Sequence, residues 1–246
     1  MSYDAPDAYA RLIAPRYGPI ARALVETAGP RGDDDVLELG AGTGLVTKLA
    51  APLVRSLVAT DKAPAMLERA RTALRRERNV SYVLVDYAEP LPFLTSSFTL
   101  VLAGLTFVQD VPAALAEIAR VLRPNGRLAI SMWGPSYHEK RLLNAALESV
   151  GGGRFPAAAP GRAVNRLTSA GFRSVRRADV DVTARFGSVD EYLEYRRGFG
   201  VPLAWTRPFY DRFLRAVRAE AERTAAGDGS FELGWTISVL TARRPR

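Results

Sequence analysis

The segment Val36–Gly44 reads VLELGAGTG, a short apolar strand entering a glycine-rich turn, and Asp61 closes the next apolar run seventeen residues after Gly44. Glycines at 40, 42 and 44 leave out the Cβ atoms that would hold a ligand away from the backbone, and they permit a tight turn from strand to helix. An acidic residue at the end of the following strand can accept hydrogen bonds from both hydroxyls of a ribose. These residue types at this spacing describe a nucleoside-cofactor site at the head of an α/β sheet.

Two details narrow the cofactor. A dinucleotide fingerprint would place its third glycine at position 45, which is Leu45, so the spacing here is G-x-G-x-G. Glu38, two residues before the turn, is badly placed for a pyrophosphate and well placed to face, directly or through water, the ammonium of a methionine moiety. The pattern points to S-adenosylmethionine. With these residues in view, the chain resembles class I S-adenosylmethionine-dependent methyltransferases acting on small molecules and quinone-like acceptors. The resemblance extends in order through KAPAMLERAR, VSYVLVDYAEPLPF, FTLVLAGLTFV and ALAEIARVLRPNGRLAIS. It implies that Met66 packs on the adenine, that Asp86 reaches the adenine amino group and that Tyr87 helps hold the ring. Ala41, Lys62 and Ala103 complete the implied cofactor set, and APRY, with Tyr17, resembles the N-terminal segment that closes over the methionine end.

The elements that must position these residues follow from periodicity. Apolar residues at three- and four-residue spacing, broken by Pro15, predict one or two amphipathic helices over residues 8–27. Strands are expected over 35–39, 56–60, 80–85, 98–103 and 127–132, separated by helical segments, which implies right-handed crossovers and a parallel sheet. Gly40, Asp61, Asp86, Ala103 and Trp133 then all fall at the carboxyl ends of strands, where such sheets bind ligands. A helix over 137–150, a glycine- and proline-rich loop, a helix stopped by Gly171 and a strand over 174–185 come next. Helices over 189–198 and 208–226 and a last strand over 232–241 complete the chain. The expected fold is α/β, a Rossmann-like class I methyltransferase fold with a seven-stranded, mostly parallel sheet whose last strand is antiparallel, helices on both faces and a helical lid. One domain is expected, with N-terminal lid helices in 1–30, a cofactor-binding core in 31–135 and lid helices in 136–170 and 186–230.

Composition sets limits. A chain of 246 residues with 48% hydrophobic and 24% charged residues suits one domain with a sizeable core. The net charge of +8 invites a nucleic-acid reading, yet Lys48, Lys62 and Lys140 are the only lysines. The arginines are spread through helices such as LERARTALRRER, where they alternate with glutamate and apolar residues as solvated faces do. No nucleic-acid partner is expected. The absence of cysteine removes disulfides, thiolate metal sites and a cysteine nucleophile. The first residues, with two aspartates and no apolar core, do not read as a signal peptide, and the longest apolar stretch, 98–108, is too short to cross a membrane. A cytoplasmic monomer or homodimer is expected. Asp33–Asp35 reads as a solvated turn rather than a metal site, and no metal is expected.

Methyl transfer from a sulfonium needs little machinery beyond holding the nucleophile on line in a dry pocket. A hydroxyl acceptor must still lose a proton, and His138, the only histidine, follows the fifth strand and is the candidate general base. Aromatics crowd the lid segments, and Tyr9, Phe107, Trp133, Tyr192 and Trp205 are the candidate acceptor contacts, suggesting an apolar, planar or polycyclic substrate. The expected reaction is methylation of oxygen, ahead of nitrogen or carbon, on a small, largely apolar metabolite; the alternative is a fold that keeps the cofactor as a scaffold for a cyclisation or serves as a binding protein. Thr106 stands where many relatives have a histidine, which weakens a proton-transfer role there, and Asn125 replaces a turn glycine in RPNG. The nucleobase amino-methylation motif is absent at residues 103–106, and the paired glutamates of protein arginine methyltransferases are missing.

Overall fold

A computed structural model describes residues 9–106, 108–155, 159–199, 201–202 and 204–246. A single π-helical turn, Tyr9–Ile13, leads into α1, Ala14–Ala28, whose Pro15 sits in the first turn, where a missing N–H costs nothing. The break expected at Pro15 is therefore the start of the α-helix. Then come β1 (Asp35–Leu39), α2 (Leu45–Ala50), β2 (Ser56–Asp61), α3 (Pro64–Ala73), β3 (Val80–Leu84), β4 (Phe98–Gly104) and α4 (Pro112–Val121). The second half holds β5 (Leu122–Tyr137), α5 (His138–Ser149), α6 (Pro160–Ser169), β6 (Arg173–Phe186), α7 (Val189–Arg197), α8 (Arg207–Thr224) and β7 (Phe231–Arg243).

The seven strands form one sheet in the order β3-β2-β1-β4-β5-β7-β6. Strands β1 to β5 run parallel, and β7 lies antiparallel to both of its neighbours, as expected. The chain winds outward from β1 to β3, then crosses to the other side of β1 to add β4, so the order reverses between β1 and β4. Ligands of open α/β sheets bind beyond the strand ends at such a switch point. Leu39 is level with Thr60 on one side and Ala103 on the other, which brings Gly40, Asp61 and the residues after Ala103 to one edge.

Alternation along β1 divides the core. Val36 faces a layer with Ile20, Leu24 and Val25 of α1 and Val46 of α2, whereas Leu37 and Leu39 face Leu115 and Ile118 of α4 and Leu167 of α6. Burial of each such aliphatic side chain contributes roughly 1.5–3 kcal/mol, enough to fix the register that carries the glycine turn. The first layer continues past the sheet into α5, α7 and α8, with Tyr192, Phe213 and Phe231 buried among them. Ser188 caps α7 by accepting from Glu191 N–H, and Thr206 caps α8 by accepting from Phe209 N–H.

Two expectations are revised. Strand β5 is longer than 127–132 because Leu122 pairs with Phe98 before the turn, and Tyr137 still pairs with Trp235 after it; Asn125 adopts the left-handed conformation anticipated for it, φ +62°. The Asp33–Asp35 run is not a solvated turn throughout. Asp34 is buried, pairs with Arg127 and accepts from Thr99 and from Arg31 N–H, and Asp35 takes Arg55, Arg123 and Ser56. Burial is the largest single effect on the Asp34 carboxyl and raises it, but the hydrogen bonds from Arg127, Thr99 and Arg31 N–H and the Arg127 charge together outweigh it and hold the group below its usual range; the hydrogen bond from Arg55 leads in lowering Asp35. These carboxylates tie together the strand starts, at the end of the sheet opposite the glycine turn.

Candidate active site

The turn after β1 is held from below. Ala41 N–H donates to the Thr60 carbonyl at 2.8 Å, and Gly42 N–H donates to Asp61 Oδ2 at 2.8 Å, while Ala63 N–H donates to Oδ1 at 2.9 Å. Asp61 is 8% exposed and keeps acceptor capacity on both oxygens. The glycines serve different ends. A Cβ on Gly40, at φ +72°, would come within 2.7 Å of the Thr106 methyl, whereas a Cβ on Gly42, at φ +56°, would meet nothing within 4 Å. Gly40 is thus required by the approach of β4's loop, and Gly42 leaves backbone open for a ligand. Gly44 is the left-handed residue that opens α2. These features fit an adenosyl cofactor: a bare backbone over Gly42, beside a carboxylate already oriented by two amides.

The remaining cofactor candidates are placed as follows. Met66 is buried at the start of α3, and Ala103 is buried at the end of β4. Asp86 accepts from Ala88 N–H and lies 3.7 Å from Lys62 Nζ, so these two candidates form one exposed ion pair at the end of β3. Tyr87 packs on the second core layer. Glu38, expected to face an ammonium directly or through water, is enclosed by the protein. It is 1% exposed and accepts from Thr47 Oγ1 at 2.6 Å, and burial, followed by the opposing Thr47 hydrogen bond and the nearby Asp61 charge, pushes its carboxyl up to about 7.

Tyr17 forms an edge-to-face trio with Trp133 and Trp235, at centroid distances of 6.0, 6.2 and 5.6 Å. Trp133 lies two residues beyond the Gly104–Ser131 pair, so the trio stands at the carboxyl end of β5. Trp205, half-buried, packs edge-on to Phe209 and Phe213 in the helical layer. Tyr192 is not a wall residue in this structure. It is fully buried, its ring lies against Phe231 and Phe186, and its hydroxyl donates to Glu139 Oε1 at 3.2 Å. Phe107 and the side chain of Tyr9 lie outside the described residues. His138 opens α5 exposed to solvent, its ring beside Gly234 of β7, without the enclosed setting expected of a general base. Glu139, the next residue, was not singled out from sequence; it is 0% exposed and takes Arg196 at 3.2 Å in addition to Tyr192.

A separate groove of about 530 Å³ runs outside α1, lined by Pro15, Gly18, Pro19, Arg22, Val180 and Val182, on the β6 side and away from the glycine turn. Among the described residues no group of three or more potential metal ligands is assembled, and no helix is long and apolar enough to cross a membrane.

Comparison with known proteins agrees with the fold. Residues 37–130 match the model of the methyltransferase domain family. Nocamycin O-methyltransferase of Saccharothrix syringae is 31% identical over 258 residues, covering 92% of this chain and 91% of that protein. The chain belongs to the class I S-adenosylmethionine-dependent methyltransferases. This methyltransferase shares its fold with phosphoethanolamine N-methyltransferase 2 of Haemonchus contortus, solved with S-adenosylhomocysteine (TM-score 0.63, 17% identity, 100% of this chain and 59% of that one). It also shares it with the [4+2]-cyclase SpnF (TM-score 0.59, 17% identity, 93% of this chain and 81% of that one). S-adenosylmethionine is the cofactor of this methyltransferase.

Proposed function

We propose that this methyltransferase methylates oxygen on a small, largely apolar metabolite of planar or polycyclic shape. The observation that carries the reading is the Tyr17–Trp133–Trp235 trio at the carboxyl end of β5, on the same sheet edge as the glycine turn and Asp61. Aromatic faces and edges recognise flat apolar surfaces and exclude water. The O-methyltransferase activity in the name of the Saccharothrix relative supports oxygen as the acceptor atom.

In this reading Gly40, Ala41, Gly42 and Gly44 present backbone to the cofactor, Asp61 takes its ribose hydroxyls, and Met66, Asp86, Lys62, Tyr87 and Ala103 bound its adenine and thioether regions. Bound S-adenosylmethionine supplies an activated methyl group on a sulfonium that leaves as a neutral thioether. The protein's part is to align the acceptor oxygen and keep water out, which can supply most of the rate for so reactive a donor. Trp133, Trp205, Phe107 and Tyr9 are proposed to contact the acceptor, with Tyr192 bracing the layer behind them. The N-terminal helices together with α5, α7 and α8 are proposed as the lid. Exposure of His138 assigns it a minor part in proton removal, so His138→Ala is expected to retain turnover within about threefold, whereas loss of a working general base costs about 100-fold or more.

The deciding experiment incubates the enzyme with flat, apolar phenols and enols and reads product mass and S-adenosylhomocysteine together. One added methyl per S-adenosylhomocysteine supports the proposal. Because the fold is shared with a cyclase, the second reading is a scaffold role, and turnover without cofactor consumption would establish it instead. Asp61→Ala should weaken S-adenosylhomocysteine binding by about 1–3 kcal/mol in either case, as expected when a buried hydrogen-bond partner is removed.

A further inference from the structure

Irregularities gather in the short connection between β4 and α4. Leu105 holds φ +48°, a conformation that its Cβ disfavours, and its N–H donates to the Ser131 carbonyl at 3.1 Å and to Ser131 Oγ at 3.0 Å. This clamp fixes the direction in which Thr106 leaves the strand. The Thr106 methyl then lies against Gly40, 2.7 Å from the place a Cβ there would take. A β-branched side chain wedged in this way has little freedom about χ1, so the position of its hydroxyl is set by the packing of its methyl. That hydroxyl oxygen is enclosed and has no hydrogen-bond partner among the described residues. An enclosed hydroxyl without a partner carries a desolvation cost that a valine in the same place would not.

The position explains the cost. Thr106 bridges β1 and β4 at the switch point of the sheet, one residue contact from the turn that cradles the cofactor. We propose that Thr106 is a cofactor-positioning residue: its methyl locks the β4 loop onto Gly40, and its hydroxyl hydrogen-bonds the charged amino-acid end of bound S-adenosylmethionine. Ammonium and carboxylate are both partners a hydroxyl can serve, as acceptor or donor. The inference rests on the cofactor assignment and is independent of which acceptor is methylated.

Two near-isosteric variants separate the methyl from the hydroxyl. Thr106→Val keeps the wedge and removes the hydroxyl, so the ligand-free protein should melt at the same temperature or higher while S-adenosylhomocysteine binding falls about ten-fold by calorimetry, the loss expected for a hydrogen bond to a charged partner. Thr106→Ser keeps the hydroxyl and gives up the contact with Gly40. It should lower the melting temperature and hold affinity within about threefold of wild type. A Thr106→Val protein that binds S-adenosylhomocysteine as tightly as wild type overturns the proposal, as does one whose melting temperature and affinity fall together. Failure of the wild-type protein to bind S-adenosylhomocysteine would overturn the cofactor assignment instead.

Discussion

Glu38 shows how one residue couples the cofactor site to pH. Enclosed beside Asp61, with Thr47 as its donor, it holds its proton up to about pH 7, whereas in the unfolded chain it releases it near 4.5. Between those values the folded protein binds more protons than the unfolded one, so stability falls as pH rises from about 4.5 to about 7 and levels off above. The change is on the order of 3 kcal/mol, from a shift of about 2.5 units at 1.36 kcal/mol each. Glu38→Gln should flatten that part of the stability profile, measured by urea denaturation at successive pH values. A cationic ligand nearby favours the carboxylate, so binding of S-adenosylmethionine near pH 6 should release a proton from Glu38. Calorimetry in buffers of different ionisation enthalpy should show this release in wild type and lose it in Glu38→Gln; a binding enthalpy independent of buffer in wild type would refute the linkage.

At the scale of elements, α7 is the piece on which the helical layer is hung. Its Glu191 pairs with Arg16 of α1, Glu194 lies 3.7 Å from Arg11, Asp190 pairs with Arg218 of α8, and Arg196 reaches Glu139 of α5. These bonds differ in worth because they differ in exposure. Arg11 and Glu194 are 71% and 52% exposed, and such a pair contributes about 0–1 kcal/mol. Glu139 is fully enclosed and Arg196 is mostly buried, so removing the Glu139 charge breaks a largely buried ion pair, at a cost of about 3–5 kcal/mol. Glu139→Gln should therefore lower the denaturation midpoint strongly, while Glu194→Gln should shift it by less than about 0.5 kcal/mol; equal effects would contradict this hierarchy. None of it was legible in the sequence, because Tyr192 and Arg196 lie 53 and 57 residues along the chain from Glu139, and helical spacing gives a residue a face without saying what the face meets. The same gap placed Tyr192 on a pocket wall when it belongs to the interior. What was legible is what the local chain determines: strands from runs of apolar residues, the turn from its glycines, and Asp61 from its place at the end of β2. The contact of Thr106 with Gly40 needed the sheet order, which reverses between β1 and β4 and so joins residues from opposite halves of the core.

Across the whole molecule, the arginines behind the net charge of +8 are spread along the sequence, and several of them are paired in the structure. Arg55, Arg120, Arg127, Arg177 and Arg218 each hold a carboxylate, on both ends of the sheet and on its helical layer. Pairing of this sort adds little to stability where it is exposed, yet it cancels the local field that would draw in a polyanion. A nucleic-acid enzyme needs unpaired cations following a groove, because neutralising each phosphate releases a counterion and makes affinity steeply salt-dependent. The sheet edge that carries the glycine turn is instead bordered by half-buried Tyr17 and Trp133, packed on the buried Trp235. Fluorescence anisotropy with duplex DNA and with structured RNA should accordingly show only the weak association of any basic protein, with dissociation constants no tighter than about 10⁻⁶ M and complete loss by about 200 mM salt. Transfer of labelled methyl groups into either polymer above the level seen with Asp61→Ala would overturn the small-molecule reading, because that variant keeps the surface cations and loses the proposed ribose contact along with the bonds from Gly42 and Ala63 N–H that shape the cofactor turn.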